Sequence, residues 1–247
     1  MVVEKPATVR IEVLVFDGCP HAEAAIQLAR TVAKRLGAGI DVERIDVNTA
    51  EQAARVGFLG SPSIRVNGTD VEGKMGVGTL ACRMYDDGAG IPPEWLVEAA
   101  VLLAMAPRGM LFLCVANSAR SQLAEGIARA LAPPGVTVWS AGSQPTRVRP
   151  EAIAALAEIG IDISGHRSKS VAEVPASEVD TVITLCGEEE CPVFLGKVRR
   201  LHWGLPDPAG VGGSEADRAD AFRETRDELR RRLAVVFARQ TPGGDRT

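Results

Sequence analysis

A chain of 247 residues is long enough for two modest domains, and a hydrophobic content of 46% suffices for packed cores. A formal net charge of −4 argues against a general polyanion binder. An aromatic content of 4%, with a single tyrosine, argues against stacking platforms for single-stranded nucleic acid. No uninterrupted apolar stretch approaches the length of a membrane span.

Residues 1–10 include Glu4 and Lys5 and lack an apolar secretory core, so a cytoplasmic location is expected. In that reducing compartment the five cysteines (Cys19, Cys82, Cys114, Cys186 and Cys191) point to redox or nucleophilic chemistry rather than a disulfide framework.

In the first half, residues 9–16 alternate and are rich in valine and isoleucine, which predicts a strand. The turn Asp17-Gly18-Cys19-Pro20 leads into an amphipathic helix over residues 22–36, stopped by Gly37. A second strand is expected over 41–47 and a short helix over 48–56. After the break at Gly60-Ser61-Pro62 comes a third strand, 63–66, turned by Asn67-Gly68 into a hairpin. Residues 75–90 read as irregular, and 92–105 as a closing helix. His21 reads as a solvated first-turn residue, and Cys82 as an ordinary half-buried cysteine. The linker Ala106-Pro107-Arg108-Gly109 divides the chain into expected domains of residues 1–106 and 107–247.

The second half opens on the most informative stretch. Residues 110–115 form a short apolar run that reads as a buried strand, and a helical pattern begins near Ala119 and runs to Leu131. Between them stand Cys114, five further residues, then Arg120 and Ser121. A loop of that length can curl its backbone N–H groups around one tetrahedral oxyanion, with the helix N-terminus adding unpaired donors and partial positive charge. Arg120 supplies a planar fork for two oxyanion oxygens. A cysteine acts as a nucleophile through its thiolate, and the same field favours negative charge at Cys114. Ser121 is placed to donate to that sulfur, and Asn117 to tie the loop together.

Further on, residues 136–141 read as a strand, 150–159 as a helix, 179–185 as a buried strand ending at Cys186, and 198–202 as a strand. Residues 214–238 form a long charged helix with apolar positions at Phe222, Leu229, Leu233 and Val236; its run Arg230 to Arg232 reads as a solvated face. Alternating strands and helices imply right-handed crossovers and a parallel sheet, with the Cys114 loop at the carboxyl end of its first strand. Cys186, Cys191 and His202 lack a fourth ligand, so no metal is expected.

Two resemblances follow. The β-α-β-α-β-β-α order of residues 9–104, with Cys19 at a helix start and Ser61-Pro62 before the third strand, resembles the thioredoxin-like fold. That implies a cis Pro62 beside Cys19. The motif is Cys19-Pro20-His21-Ala22, so the second cysteine of C-x-x-C is missing, leaving a mixed disulfide or a pairing of Cys19 with Cys82 as the redox options, or else a relic cysteine.

The second resemblance covers residues 109–240. Its pieces are Cys114-Val115-Ala116-Asn117-Ser118-Ala119-Arg120-Ser121, Ser140-Ala141-Gly142-Ser143, the run Gly160 to His166, Thr184-Leu185-Cys186 with Cys191-Pro192, and the run Trp203 to Pro208. Together they resemble the arsenate reductases that share the low-molecular-weight tyrosine phosphatase fold. The resemblance implies that Cys114 attacks arsenate, that Asn117, Ser118, Arg120 and Ser121 belong to the oxyanion loop, and that Asp207 is the general acid. Cys186 and Cys191 would be the resolving thiols. No bound cofactor is implied; the partners are arsenate and an external thiol donor, whether thioredoxin, glutaredoxin with glutathione, or mycothiol. Four residues separate Cys186 from Cys191, a short spacing more like members that use a small thiol such as mycothiol. The competing readings are a phosphatase for phosphotyrosine or a small phosphoester, and a non-catalytic oxyanion-sensing module. The oligomeric state is not readable from these patterns.

Overall fold

A computed structural model of the chain describes residues 8–187 and 194–238. The chain divides into two compact units at Ala106–Pro107. Each is built around a four-stranded sheet.

In the first unit, β1 (Val9–Val15) leads through α1 (Ala22–Leu36) to β2 (Ile40–Asp46), then α2 (Ala50–Val56), β3 (Ser63–Val66), β4 (Thr69–Asp70) and α3 (Glu94–Met105). The sheet order is β2-β1-β3-β4. β1 runs parallel to β2 and antiparallel to β3, and β3 and β4 form the hairpin expected at Asn67-Gly68. The Ser61–Pro62 peptide bond is cis. α1 forms because Ala25, Ile26, Ala29, Val32 and Leu36 recur at helical spacing and bury one stripe. α2 starts on a reciprocal cap between Thr49 and Gln52 and ends at Gly57 in the left-handed region.

In the second unit, β5 (Gly109–Cys114) leads into α4 (Arg120–Leu131), β6 (Thr137–Gly142), α5 (Pro150–Ala157), β7 (Thr181–Thr184), β8 (Arg199–His202) and α6 (Glu215–Val236). The sheet order is β6-β5-β7-β8, with β5 central and parallel to both β6 and β7. By hydrogen bonding β8 is the edge strand of this sheet. All six residues of β5 are buried, as befits a strand covered on both faces. Leu111 and Leu113 pack with Val174, Val179, Val182 and Phe194 in one core cluster. α6 buries Phe222, Leu229, Leu233 and Val236, each such burial contributing about 1.5–3 kcal/mol.

Three differences from the sequence reading have physical causes. Short 3-10 turns at Val171–Glu173, Ala176–Glu178 and Pro208–Gly210 carry no periodicity that would announce them. The arginine run of α6 is not uniformly solvated: Arg230 and Arg231 are exposed, but Arg232 is half-buried, lies 5.9 Å over the Trp203 ring and bonds Glu228. Cys82, expected to be half-buried, is exposed. Its neighbours Arg83 and Tyr85 take the buried positions instead, because alternate side chains of an extended segment face opposite ways.

Candidate active site

Cys114 closes β5, and the loop that follows carries the chain into α4. The loop is held by polar side chains that are themselves buried. Asn117 adopts φ +45°, a left-handed conformation that asparagine tolerates better than most residues. It is fully buried and fully engaged. Its Oδ1 accepts from the Lys169 backbone N–H at 2.7 Å and from Gln122 Nε2 at 3.0 Å. Its Nδ2 donates to Ser121 Oγ and to Ser140 Oγ, both at 2.8 Å.

These bonds have a forced direction. A backbone N–H can only donate, so the Asn117 amide is oriented by Lys169 and its NH2 group must face the two serines. Ser140 gives its one hydroxyl proton to the Glu125 carboxylate, which can only accept. Ser121 accepts from Asn117, so its own proton is left for the Cys114 sulfur 3.0 Å away. The chain from Glu125 through Ser140, Asn117 and Ser121 therefore ends as a donor aimed at Sγ.

Glu125 is completely buried on α4 and is compensated by Lys169 Nζ at 3.0 Å and Arg129 at 2.5 Å. Gln122 extends the web: its Nε2 also donates to the Asn117 and Arg167 carbonyls, and its Oε1 faces His166 Nδ1 at 3.0 Å. With Gln122 accepting, Nδ1 carries the proton and Nε2 is left to accept from Arg129. Burial, opposed by Glu125 and reinforced by Arg129 and Lys169, pushes the His166 pKa below its ordinary value, in keeping with that neutral form. Gly142 at the end of β6 completes the fit, because a Cβ there would collide with the Val115 carbonyl.

Arg120, the first residue of α4, is buried. Its Nη1 donates to the Leu205 carbonyl at 3.0 Å and to the Leu185 carbonyl at 3.4 Å, and its Nη2 lies 3.7 Å from Asp207 Oδ1. Leu185 precedes Cys186, and its N–H bonds the Leu113 carbonyl at 2.8 Å, extending the β5–β7 pairing to the edge of the loop. One guanidinium thus ties together the loop after Cys114, the segment bearing buried Cys186, and the turn bearing Asp207. Asp207 caps the 3-10 turn Pro208–Gly210 through Ala209 N–H and keeps a side chain that is 41% exposed at the mouth.

Of the residues singled out by sequence, Cys114, Asn117, Arg120, Ser121, Cys186 and Asp207 come together here, and Ser118 lies buried in the same loop. Cys191 lies outside the described residues. Cys19 and Cys82 belong to the first unit. No three His, Cys, Asp or Glu side chains among the described residues gather as metal ligands. Sequence reasoning passed over Glu125, Gln122 and Lys169. A signal for Glu125 was available: Ser121 and Glu125 sit one turn apart on the stripe of α4 that must face the sheet, where apolar residues are the rule.

Residues 109–241 match the family model described as low molecular weight phosphotyrosine protein phosphatase. An arsenate reductase of Bacillus subtilis is 40% identical over 124 residues, which span 49% of this chain and 89% of that protein. Arsenate reductase 2 of Staphylococcus saprophyticus is 39% identical over 128 residues, 51% of this chain and 93% of that one. A solved structure titled an arsenate reductase in the phosphate binding state is 35% identical, covering 53% of this chain and 97% of its own, with a TM-score of 0.47.

Proposed function

The chain belongs, through residues 109–241, to the low molecular weight phosphotyrosine protein phosphatase family, and on that footing we propose that it is an enzyme that reduces arsenate to arsenite, a cytoplasmic arsenate reductase serving arsenic detoxification. The identity of about two-fifths to curated arsenate reductases supports this activity. The observation that carries it is the Arg120 contact with Leu185, which brings a second cysteine, Cys186, to the loop of the nucleophile. A phosphatase has no use for that thiol. Among the described residues no helix is long and apolar enough to cross a membrane.

In this mechanism the loop N–H groups and Arg120 hold the arsenate oxygens. The Cys114 thiolate attacks arsenic, and Asp207 protonates the departing oxygen, which needs a proton at neutral pH. Cys186 then attacks Cys114 Sγ. The electron pair of the S–As bond passes to arsenic, arsenite leaves, and a Cys114–Cys186 disulfide remains. Cys191 attacks Cys186 in turn, freeing Cys114 and leaving a Cys186–Cys191 disulfide for the external donor, whether thioredoxin, glutaredoxin with glutathione, or mycothiol. The first unit, whose sheet order, Cys19 turn and Ser61–Pro62 corner support a thioredoxin-like reading, is a thiol-transfer module in this scheme.

The test is a single turnover. Fully reduced protein is mixed with excess arsenate and no external thiol; one arsenite released with two thiols lost per chain supports the mechanism, and mass spectrometry names the disulfide. The family model favours a second reading, a phosphatase for phosphotyrosine or a small phosphoester. Hydrolysis of an aryl phosphate without any arsenite, even with thiol added, would establish it. Cys114→Ser is expected to lower either activity at least about 1000-fold while phosphate binding persists. Phosphate binding with neither activity in the native chain leaves the sensing module.

A further inference from the structure

The first unit holds two cysteines that the Cys114 chemistry does not use. Its sequence lacks the second cysteine of C-x-x-C, but the stretch that carries another, Cys82, pairs with Ser61 of the loop before β3. Ser61 is the shared reference point. Its Oγ accepts from the Phe16 N–H at 3.2 Å, continuing the antiparallel register that pairs Leu14 with Ser63. On its other side Ser61 pairs in parallel with Cys82, donating to the Ala81 carbonyl at 2.8 Å and accepting from the Arg83 N–H at 3.0 Å. Ser61 thus stands between Phe16 and Cys82, bonded to the one through its hydroxyl and to the stretch of the other through its backbone. The turn closed by Cys19 N–H on the Phe16 carbonyl then carries Cys19 round to the start of α1.

A second pin lies beyond Cys82. Gly90 packs so closely on the His21 ring that no Cβ would fit there. The residues flanking Cys19 on either side, Phe16 and His21, are therefore tied to the two ends of the stretch that carries Cys82. That stretch is also anchored from below. Buried Arg83 makes paired bonds to Asp70 at 2.6 and 2.8 Å, a third to Glu72 at 2.7 Å and a fourth to Ser63 Oγ at 3.1 Å. Its guanidinium lies 4.2 Å from the Tyr85 ring centre, and Tyr85 Oη donates to the Pro62 carbonyl at 3.2 Å. The Cys82 backbone is thus fixed while its thiol stays exposed, and Cys19 is buried.

We propose that Cys82 and Cys19 form a non-contiguous redox pair that accepts the oxidising equivalents of an external disulfide, with Cys82 as the capturing thiol and Cys19 as the resolving one. The exposed Cys82 thiolate attacks one sulfur of a disulfide RSSR. The S–S bond breaks, one thiolate leaves and takes a proton, and a mixed disulfide remains on Cys82. Cys19 loses its proton to solvent and attacks Cys82 Sγ, expelling the second thiolate, which is protonated. The sum is RSSR plus two protein thiols giving one Cys19–Cys82 disulfide and two RSH. Exposure thus reverses the order that a helix-start cysteine would suggest.

The probe is hydroxyethyl disulfide, applied first to the full reduced chain and then to a full-length variant with Cys114, Cys186 and Cys191 all changed to Ser. That variant cannot reduce arsenate, so its result is independent of the proposed function. Expected are a variant two hydrogens lighter that retains no adduct, and a Cys19–Cys82 cross-linked peptide in both proteins. Adding Cys19→Ser to the variant should trap the adduct on Cys82, and adding Cys82→Ser instead should leave Cys19 at least about tenfold slower to react. Retained adducts on both sulfurs, or an adduct on Cys82 with no cross-linked peptide in the unaltered chain, overturn the pair. Equal rates for the two single-thiol proteins overturn the order.

Discussion

Both units place a cysteine between a buried strand and the first turn of a helix, and they build very different surroundings for it. Cys114 is followed by a loop whose Asn117 is fully buried and whose hydrogen bonds run in one direction to the sulfur. Cys19 sits in a short turn whose Phe16 and Asp17 N–H groups are held by the Ser61 hydroxyl and the Asn48 side chain, with His21 at the helix start giving no side-chain cap and no arginine beside it in sequence. A strand–cysteine–helix arrangement therefore does not by itself make an oxyanion site. What the site proposed at Cys114 adds is a longer loop, an arginine at the first helical position, and buried polar groups that hold the loop in place at a cost in desolvation.

The comparison can be broken most severely at Glu125, buried beneath the Cys114 loop. Glu125→Gln leaves Lys169 and Arg129 beside an uncharged partner and leaves one acceptor oxygen where Ser140, Lys169 and Arg129 had two to share. A loss of about 3 kcal/mol in urea unfolding is expected, with arsenate turnover falling alongside it. An unchanged midpoint would mean that the loop does not depend on the web beneath it.

Arg120→Lys keeps the charge and removes the fork that reaches the Leu185 and Leu205 carbonyls and the side of Asp207. The expected outcome in steady-state kinetics is a fall of about 100-fold in kcat/KM. A value near that of the native chain would reduce Arg120 to a point charge.

Ser121→Ala removes the final donor in the chain to the sulfur. Alkylation of Cys114 by iodoacetamide at neutral pH should slow about tenfold, the size of one hydrogen bond to a charged acceptor. Alkylation of Cys19 in the same protein serves as the internal reference.

The smallest effect is expected away from both loops. Exposed Glu158, after α5, is held at a pKa of about 2 by hydrogen bonds from Arg223 and then Arg226 on α6. A carboxyl depressed below its ordinary value of about 4.3 contributes stability above that pH and loses it as pH falls toward 2. The melting temperature of Glu158→Gln should therefore lie slightly below that of the native chain at neutral pH and converge with it by about pH 2. A gap that widens on acidification would show the sign to be wrong.

Much of this was legible in the chain itself. Alternation at residues 9–16, the helical spacing of Ala25, Ile26, Ala29, Val32 and Leu36, and the apolar run ahead of Cys114 are local patterns, and local patterns survive in one dimension. The spacing of Cys114 and Arg120 was equally local, because a loop and the first turn of its helix are neighbours in sequence. The stripe of α6 at Phe222, Leu229, Leu233 and Val236 was legible for the same reason.

Tertiary structure decided the rest. The stripe of α4 turns Glu125 inward, but nothing near it in sequence names its partners Ser140 and Lys169, which lie 15 and 44 residues away. Nor does the stretch after residue 75 announce that Arg83 will turn inward to Asp70 and leave Cys82 exposed alongside Ser61. Periodicity reports which face of an element is apolar, and it is silent about a buried polar group, whose cost is met only by partners that other strands and loops deliver.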